Sequence, residues 1–544
     1  AGDTCTLRFA DATPELPAPD RPLKGIVHLW SLDLAPADIA ARRRASASVL
    51  QLVRALASRA PAARQARLWL VTSGAMNVLD GESTAPAQAP LWGLGRAIAV
   101  EHAALWGGLI DLDPAQPSAA HIVQAVQAGG REDMIAFRGG QRYVARIARD
   151  NREFVSHRPI RFHHDATYLV TGGLGGLGLR LASWLAANGA GKVVLLGRGA
   201  PSPAAEKILS TLDARFIRAD LSRREDVAQA LGEIAHSMPP LKGVFHLAGA
   251  LDDALLTRQD DDAFHRAGSG KADGAWYLHE LTADLPLDHF VLFSSMAALI
   301  TMPGQGNYAA ANSFLDALAQ HRRAQGKPGL SVNWGPWAEI GHAATDYGRR
   351  AHEQLAALGV GTLSPELAIA ALERLMASGV AQSGVARIDW PTLFRVDAPA
   401  AGSALFSELA QPAAQPAQQE TALLRQLHAC APRERIELIT DTLAKMLAET
   451  LRLSGPDAIA PEQSLLDLGL DSLIALELTD RLTKVFGRPF RATLFFSYPN
   501  LQTLARFVLD ELSPSLPAPV VDKASDDLDE DDLSELIAQE IGAQ

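Results

Sequence analysis

Cysteine is nearly missing from this chain: Cys5 and Cys430 are the only two in 544 residues. Two so far apart give no disulfide framework and fit a reducing cytoplasm. No apolar run approaches the roughly 20 residues of a membrane-spanning helix, and no secretory leader is expected. Net charge is -12 and no basic stripe stands out, so neither nucleic acid nor membrane is an expected partner. No metal site is expected. What is present is ordinary globular material, 48% apolar and 21% charged, enough to bury several cores. The length points to three or four units. The chain opens on Ala1 in mid-pattern, so it is expected to be a piece of a longer polypeptide.

Two stretches read as tethers. Residues 398–419 are rich in Ala, Pro and Gln, and 513–525 are rich in Pro; such composition builds no core. Ahead of them the chain repeats itself. Gly25-Ile-Val-His-Leu29 resembles Gly243-Val-Phe-His-Leu247, and Leu68-Trp-Leu-Val-Thr-Ser-Gly74 resembles Phe290-Val-Leu-Phe-Ser-Ser-Met296. Each pair reads as buried parallel strands. Strands alternating with helical stretches give an α/β, doubly wound Rossmann architecture. The expected layout is a truncated pseudo-Rossmann structural subdomain (1–155) and a catalytic dinucleotide-binding subdomain (156–397). A linker (398–420), a small helical-bundle carrier (421–512) and an acidic tail (513–544) follow.

The strongest local signal is TGGLGGLG at 171–178, between the strand Tyr168-Leu-Val170 and a helical stretch from Leu179. Glycines tighten such a turn and admit a pyrophosphate to the helix N-terminus. Gly172, Gly173, Gly175, Gly176, Leu177 and Gly178 are therefore cofactor candidates. The next strand ends at Gly197-Arg198, where an NAD-selective site usually carries an acid. An arginine there suits a 2′-phosphate, so NADPH is expected. Asp220 and Leu221 are placed at the adenine edge.

Beyond the turn, Ser295 and Tyr308 lie thirteen residues apart, Asn312 is one helical turn past Tyr308, and Lys271 sits upstream in a helical stretch, 271–278. Ketone reduction needs hydride at carbon and a proton at oxygen. A phenol near pKa 10 is a poor donor at neutral pH, and a nearby ammonium is expected to lower that value. Tyr308 is thus the expected acid, Lys271 its tuner, Ser295 a hydrogen-bond donor to the carbonyl and Asn312 an organiser of the proton path. Singly, each residue reads as a packed or solvated side chain; the ordered set behind a nucleotide turn is what carries the reading.

Near the C-terminus, Asp471-Ser472-Leu473 opens a stretch with Ile474, Leu478 and Leu482 at every fourth position, a core stripe. A phosphodiester on Ser472 would meet a positive helix end; the plain alternative is an N-cap serine. The tail is acidic over 526–532, and Leu533, Leu536, Ile537 and Ile541 then share one helical face. It reads equally as a docking helix for a downstream protein and as a solvated end.

These residues resemble a known family. TGGLGGLG, the Phe245–Asp253 stretch, FSSMAALITMPGQGNYAAANSFLDALA (293–319), Val332-Asn-Trp-Gly-Pro-Trp337, Pro90–Arg96 and Trp106–Asp111 resemble the ketoreductases of modular polyketide synthases, relatives of the short-chain dehydrogenases. The family's exchanged order, Lys early and Asn after Tyr, is matched. The resemblance adds Ala248 and Gly249 to the cofactor site, and Pro336 with Trp337 to the loop that closes near the nicotinamide. It also reads Leu251, Asp252, Asp253, Pro303 and Asn307 as substrate-orienting residues. With Ile300 where the opposite subgroup carries Trp, a B-type site giving a D-β-hydroxyl is expected; the alternative for Asp252 and Asp253 is a solvated acidic pair. The segment around Ser472, with Phe495-Phe-Ser-Tyr-Pro499, resembles acyl carrier domains, which implies 4′-phosphopantetheine on Ser472.

The expected function is NADPH-dependent reduction of a β-ketoacyl thioester held on the chain's own carrier, within a polyketide assembly line. Implied partners are other synthase domains and modules, a phosphopantetheinyl transferase and, on the docking reading of the tail, a downstream protein. A tether of about 22 residues reaches roughly 25 Å, which sets a millimolar-scale effective concentration. Two alternatives stay open: an inactive scaffold presenting a carrier, and a dehydrogenase of free metabolites.

Overall fold

The computed structural model describes residues 23–35, 37–58, 66–150, 160–338, 352–353, 355–396, 400, 402–409, 421–465, 467–470, 472–487, 490 and 494–512. The chain divides into two compact units, Ala1–Ala413 and Ala414–Gln544, each described by itself. The acidic tail and its expected helix lie outside the described residues.

The first unit holds two sheets. In the front sheet β1 (Gly25–His28), β2 (Arg67–Ser73), β3 (Trp106–Leu112) and β4 (Met134–Arg138) run parallel, and β5 (Gln141–Val144) turns back antiparallel. Its helices are α1 (Ile39–Ala57), α2 (Pro90–Glu101) and α3 (Ala119–Ala128). The second sheet is built from β6 (Thr167–Thr171), β7 (Lys192–Gly197), β8 (Ala214–Arg218), β9 (Leu241–His246), β10 (His289–Ser295), β11 (Leu330–Trp334) and β13 (Gln382–Val385). A small ribbon of β12 (Val360–Gly361) and β14 (Arg387–Ile388) lies apart. The large sheet is parallel throughout, in the order β13-β11-β10-β9-β6-β7-β8. All five residues of β6 are buried, as are Val193–Leu196 of β7. Apolar runs without alternation are what a sheet covered on both faces demands. Helices α4 (Gly176–Ala187), α5 (Pro203–Leu209), α6 (Arg224–Ser237), α7 (Asp261–Gly268), α8 (Gly274–Leu281), α9 (Gly306–Ala324), α10 (Pro365–Ser378) and α11 (Trp390–Val396) accompany it. Strand order reverses between β6 and β9, so a crevice opens where their carboxyl ends diverge.

The repeat seen in the sequence recurs in the strand registers. His28 pairs with Leu70 and Thr72 with Asp111; His246 pairs with Leu292 and Ser294 with Asn333. The front sheet thus corresponds to β9, β10, β11 and β13, and among the described residues it has no counterpart of β6–β8.

The second unit is helical: α12 (Ala422–Ala429), α13 (Pro432–Thr450), α14 (Ser472–Phe486), α15 (Leu494–Ser497) and α16 (Leu501–Leu512). They close on a core that includes Leu443, Leu447, Leu478, Leu482, Phe486, Phe495, Leu504 and Val508. Pro432 opens α13, where its missing N–H costs nothing.

Candidate active site

The glycine turn leaves β6 at Thr171 and enters α4 at Gly176. Gly172 has φ +65°, and a Cβ there would lie 3.0 Å from the Ala248 nitrogen. A Cβ on Gly178 would lie 2.5 Å from the Gly173 Cα. Only glycine lets this turn fold back on its own helix and on the segment after β9. No side chain caps α4, so its first N–H groups remain open to an anion. Arg198 is exposed at the end of β7. Against its burial, hydrogen bonds from Ser222 and the charges of Arg198 and Arg223 hold Asp220 below the usual carboxylate range. Leu221 is buried. Turn, bare helix end and arginine fit a 2′-phosphorylated dinucleotide.

Ser295 ends β10, and its Oγ accepts the Ala297 N–H at 3.2 Å, which leaves the hydroxyl proton to donate elsewhere. Tyr308 is half-buried in the first turn of α9, its N–H donating to Asn307 Oδ1 at 2.7 Å. Asn312, one turn on, donates Nδ2 to the Tyr308 carbonyl at 2.8 Å, and its buried Oδ1 has no hydrogen-bond partner among the described residues. Lys271 is buried; its Nζ donates to the Phe293 carbonyl at 2.9 Å and lies 5.5 Å from the centre of the Tyr308 ring. The four expected residues come together at the carboxyl end of β10.

The electrostatics differ from the expectation in one respect. Tyr308 is raised above 10, not lowered: burial dominates, Asp253 adds to it, and hydrogen bonding from Ser295 and Asn312 only partly offsets them, with Lys271 not among the influences. The ammonium faces the ring and is tied to a carbonyl rather than to the phenol oxygen. Lys271 itself is pushed down to about 8 by burial, against the charge of Asp316.

Comparison with known proteins follows the same lines. The KR domain family matches residues 166–339, the Rossmann-fold domain of the polyketide synthase extender module SpnB matches 6–147, and the phosphopantetheine attachment site matches 441–508. An A-type ketoreductase structure from a modular polyketide synthase is 36% identical with TM-score 0.63, over 71% of this chain and 82% of that one. This chain belongs to the modular polyketide synthase ketoreductases. The first ketoreductase of the tylosin synthase is similarly close, at 35% identity and TM-score 0.61 over 71% and 82%. Polyketide synthase GfsA of Streptomyces halstedii is 36% identical over 88% of this chain, and the pikromycin synthase component PikAIII of Streptomyces venezuelae 36% over 84%. The chain spans 6% of the former and 30% of the latter.

In this polyketide synthase ketoreductase the substrate-orienting candidates lie on two touching loops. Leu251 is 40% exposed. Asp252 pairs with Arg266 at 2.7 Å, and its carbonyl accepts Asn307 Nδ2 at 2.7 Å. Asp253 Oδ2 accepts Gln305 Nε2 at 3.3 Å. Pro303 is half-buried and precedes Gly304, whose carbonyl accepts the Ala254 N–H at 2.9 Å. A Cβ on Gly249 would lie 2.5 Å from Lys271 Cε, so any larger residue there would displace the lysine side chain. Pro336 and Trp337 dock on Leu363, the Pro336 carbonyl accepting its N–H at 2.8 Å; residues 339–351 lie outside the described residues.

Several ketoreductase residues escape a reading by spacing. Lys271 sits in a π-helical turn, Ser269–Asp273, not in the expected regular helix. That turn is held by Asp273, paired with Arg42 and Arg43 of α1, and by His246. Its Nε2 lies 2.8 Å from the Lys271 carbonyl and Nδ1 2.8 Å from Thr171 Oγ1. A carbonyl only accepts, so Nε2 carries the proton and Nδ1 takes the threonine's. Burial and Lys271 hold His246 down to about 3, so it stays neutral. Asp316, buried and pushed up to about 6, accepts from Ser331 Oγ at 2.6 Å and Asn333 Nδ2 at 2.8 Å. Histidine in the 245–253 motif was the one signal of these available in the sequence.

In the carrier unit Gly469 has φ +95°, a turn that buries Leu470 just ahead of α14. Ser472 is the first residue of α14; Asp471 and the Ser472 side chain lie outside the described residues.

Proposed function

We propose that this chain reduces a β-ketoacyl thioester, tethered through 4′-phosphopantetheine on Ser472, to the D-β-hydroxyacyl thioester with NADPH. The observation that carries the reading is the convergence on one residue: Lys271 Nζ lies 5.5 Å from the Tyr308 ring, Asn312 Nδ2 donates to the Tyr308 carbonyl at 2.8 Å, and Ser295 bears on the phenol's pKa. NADPH, when bound, supplies hydride for the carbonyl carbon. Ser295 O–H orients the ketone oxygen, and Tyr308 gives its proton to that oxygen as the C–O bond becomes an alcohol. Charge left on the phenolate is offset by the Lys271 ammonium. The unpartnered Asn312 Oδ1 is an acceptor on the path by which the phenol regains a proton. Arg198 would hold the 2′-phosphate, and the bare end of α4 the pyrophosphate.

Support for a B-type outcome is the loop pairing of Leu251–Asp253 with Pro303 and Asn307, and Ile300 in place of Trp. A short tether to the carrier favours the arm over free thioesters by effective concentration. Other synthase domains and a phosphopantetheinyl transferase are the partners this reading requires, in the cytoplasm, and a downstream protein is added only on the docking reading of the tail.

NADPH oxidation with a β-ketoacyl thioester, wild type against Tyr308→Phe, tests the proposal. The variant should lose about 10²- to 10⁴-fold in rate. Equal rates would remove Tyr308 as the acid, and no turnover by wild type would favour the scaffold. An L-configured product on chiral chromatography would overturn the B-type assignment.

A further inference from the structure

Helix α2 belongs to the front sheet and contributes nothing to the chemistry above, yet it touches three elements that do. A Cβ on Gly93 would lie 2.6 Å from the Ala310 nitrogen, so α2 crosses α9 in backbone contact beside Tyr308. Arg96 Nη1 donates at 2.7 Å to the Ala298 carbonyl, in the turn that begins after Ser295. Glu101, the last residue of α2, reaches both substrate-side loops at once. Its Oε2 accepts the Leu256 N–H at 2.7 Å and its Oε1 the Gly304 N–H at 2.8 Å.

A carboxylate is badly placed at 101. It is 4% exposed and stands at the negative end of a helix. Burial pushes it up to about 7, and the two loop amides pull the other way. Those amides belong to segments already paired with each other. The Ala254 N–H donates to the Gly304 carbonyl at 2.9 Å, and buried Gln259 Nε2 donates to the Ala254 and Gly304 carbonyls at 2.7 and 3.3 Å. The first loop runs from Leu251–Asp253, and the second leads through Pro303 and Asn307 to Tyr308.

We propose that Glu101 is a positioning residue for stereocontrol: its carboxylate fixes the 251–256 and 303–307 loops in one register, and so sets which ketone face is presented beside Tyr308. This rests on the reductase reading above. A structural residue would merely raise stability. A positioning residue must also change what the site makes.

The test uses the full chain with Glu101→Gln, which keeps one acceptor and turns an N–H donor against the other loop. Gln259→Leu loosens the same pairing from the opposite side and serves if the first variant does not fold. The expected result is at least tenfold faster hydrogen exchange over 251–256 and 303–308. At least a fivefold rise in the minor hydroxyl epimer and a raised KM for the β-ketoacyl thioester should accompany it, with the Kd for NADPH within twofold of wild type. Variants that melt lower but keep product ratio, KM and loop exchange would overturn the proposal. A wild type that consumes no NADPH would sink the reductase reading alone, and loop exchange would still decide the clamp.

Discussion

Replacing Lys271 by Met should separate stability from activity. Lys271 is 3% exposed, and burial brings it from 10.5 to about 8 against the charge of Asp316. Holding the ammonium charged therefore costs the folded state about 3 kcal/mol at 1.36 kcal/mol per pKa unit. Because the folded pKa is depressed, that cost is fully present below pH 8, shrinks between 8 and 10.5, and vanishes above. Wild-type stability should rise across that window. Methionine offers a similar unbranched chain without the charge and gives up the bond to the Phe293 carbonyl, worth about 1 kcal/mol. Lys271→Met should then be more stable than wild type by about 2 kcal/mol at pH 7. Activity should move the other way. Lys271 does not shift the resting phenol, because the buried ammonium is already neutral where Tyr308 titrates; at pH 7 it is charged and 5.5 Å from the ring, and an effective dielectric of ~20 then gives about 3 kcal/mol of stabilisation to phenolate charge formed in the transition state. The variant should therefore lose about 100-fold in kcat. Denaturant melts at pH 7 and 9.5, with NADPH oxidation from pH 6 to 10, check both halves; wild-type rates should fall above pH 8 and the variant's should not. A variant less stable than wild type at pH 7, or within tenfold of its rate, refutes the assignment of the buried ammonium to transition-state charge.

Ser472→Ala should take up no mass on incubation with coenzyme A and a phosphopantetheinyl transferase, while reducing a free β-ketoacyl thioester at the wild-type rate; an arm on the variant would move the attachment site. Arg198→Glu should raise the KM for NADPH about 10- to 100-fold, the scale of a lost charge-assisted contact, and leave the KM for NADH unchanged or lower. Equal losses for both cofactors would place the 2′-phosphate elsewhere. Gly93→Ala should destabilise the first unit by about 1–3 kcal/mol in denaturant melts, since the crowded atoms are the α9 backbone and cannot rotate aside; an unchanged midpoint would mean the helices separate freely.

What the sequence reveals and conceals follows from how far each interaction reaches along the chain. The glycine turn, the strand ends and the Tyr308–Asn312 spacing are local, and they stand in the structure as the residue pattern implies. The carrier core stripe at Leu478 and Leu482 is local too, and both are buried. The π turn at Lys271 is not legible, because its cause is Asp273 meeting Arg42 and Arg43 some 230 residues earlier. Glu101 is silent for the same reason: its amide partners lie 155 and 203 residues away. Spacing alone gives the wrong direction for the Tyr308 pKa because it shows the nearby cation and not the burial, which dominates at this site.

The two sheets share a register and diverge in chemistry at matching positions. Asn333 on β11 donates to Ser294 Oγ and the Ser295 carbonyl and leaves the crevice above β10 open. Its counterpart in the front sheet is Asp111, fully buried, accepting from Thr72 Oγ1 at 2.6 Å, the Ala75 N–H at 2.9 Å and Arg138 at 2.7 Å. Arg138 also pairs with Glu82 and donates to the Met76 carbonyl at 2.9 Å. The third residue of α9 is Tyr308; that of α2 is Trp92, whose Nε1 donates to Thr72 Oγ1 at 3.0 Å. The edge where a ligand would sit is thus closed by the chain's own ion pair and strand-end amides. A buried pair of this kind adds little net stability while intact but strands a charge if one partner is removed. No single substitution reopens such an edge, and among the described residues no counterpart of β6–β8 offers a phosphate turn to restore. Freed of catalysis, α2 is left to face α9 and the loops around it, which is the geometry that makes Glu101 a lever on the product rather than a spectator.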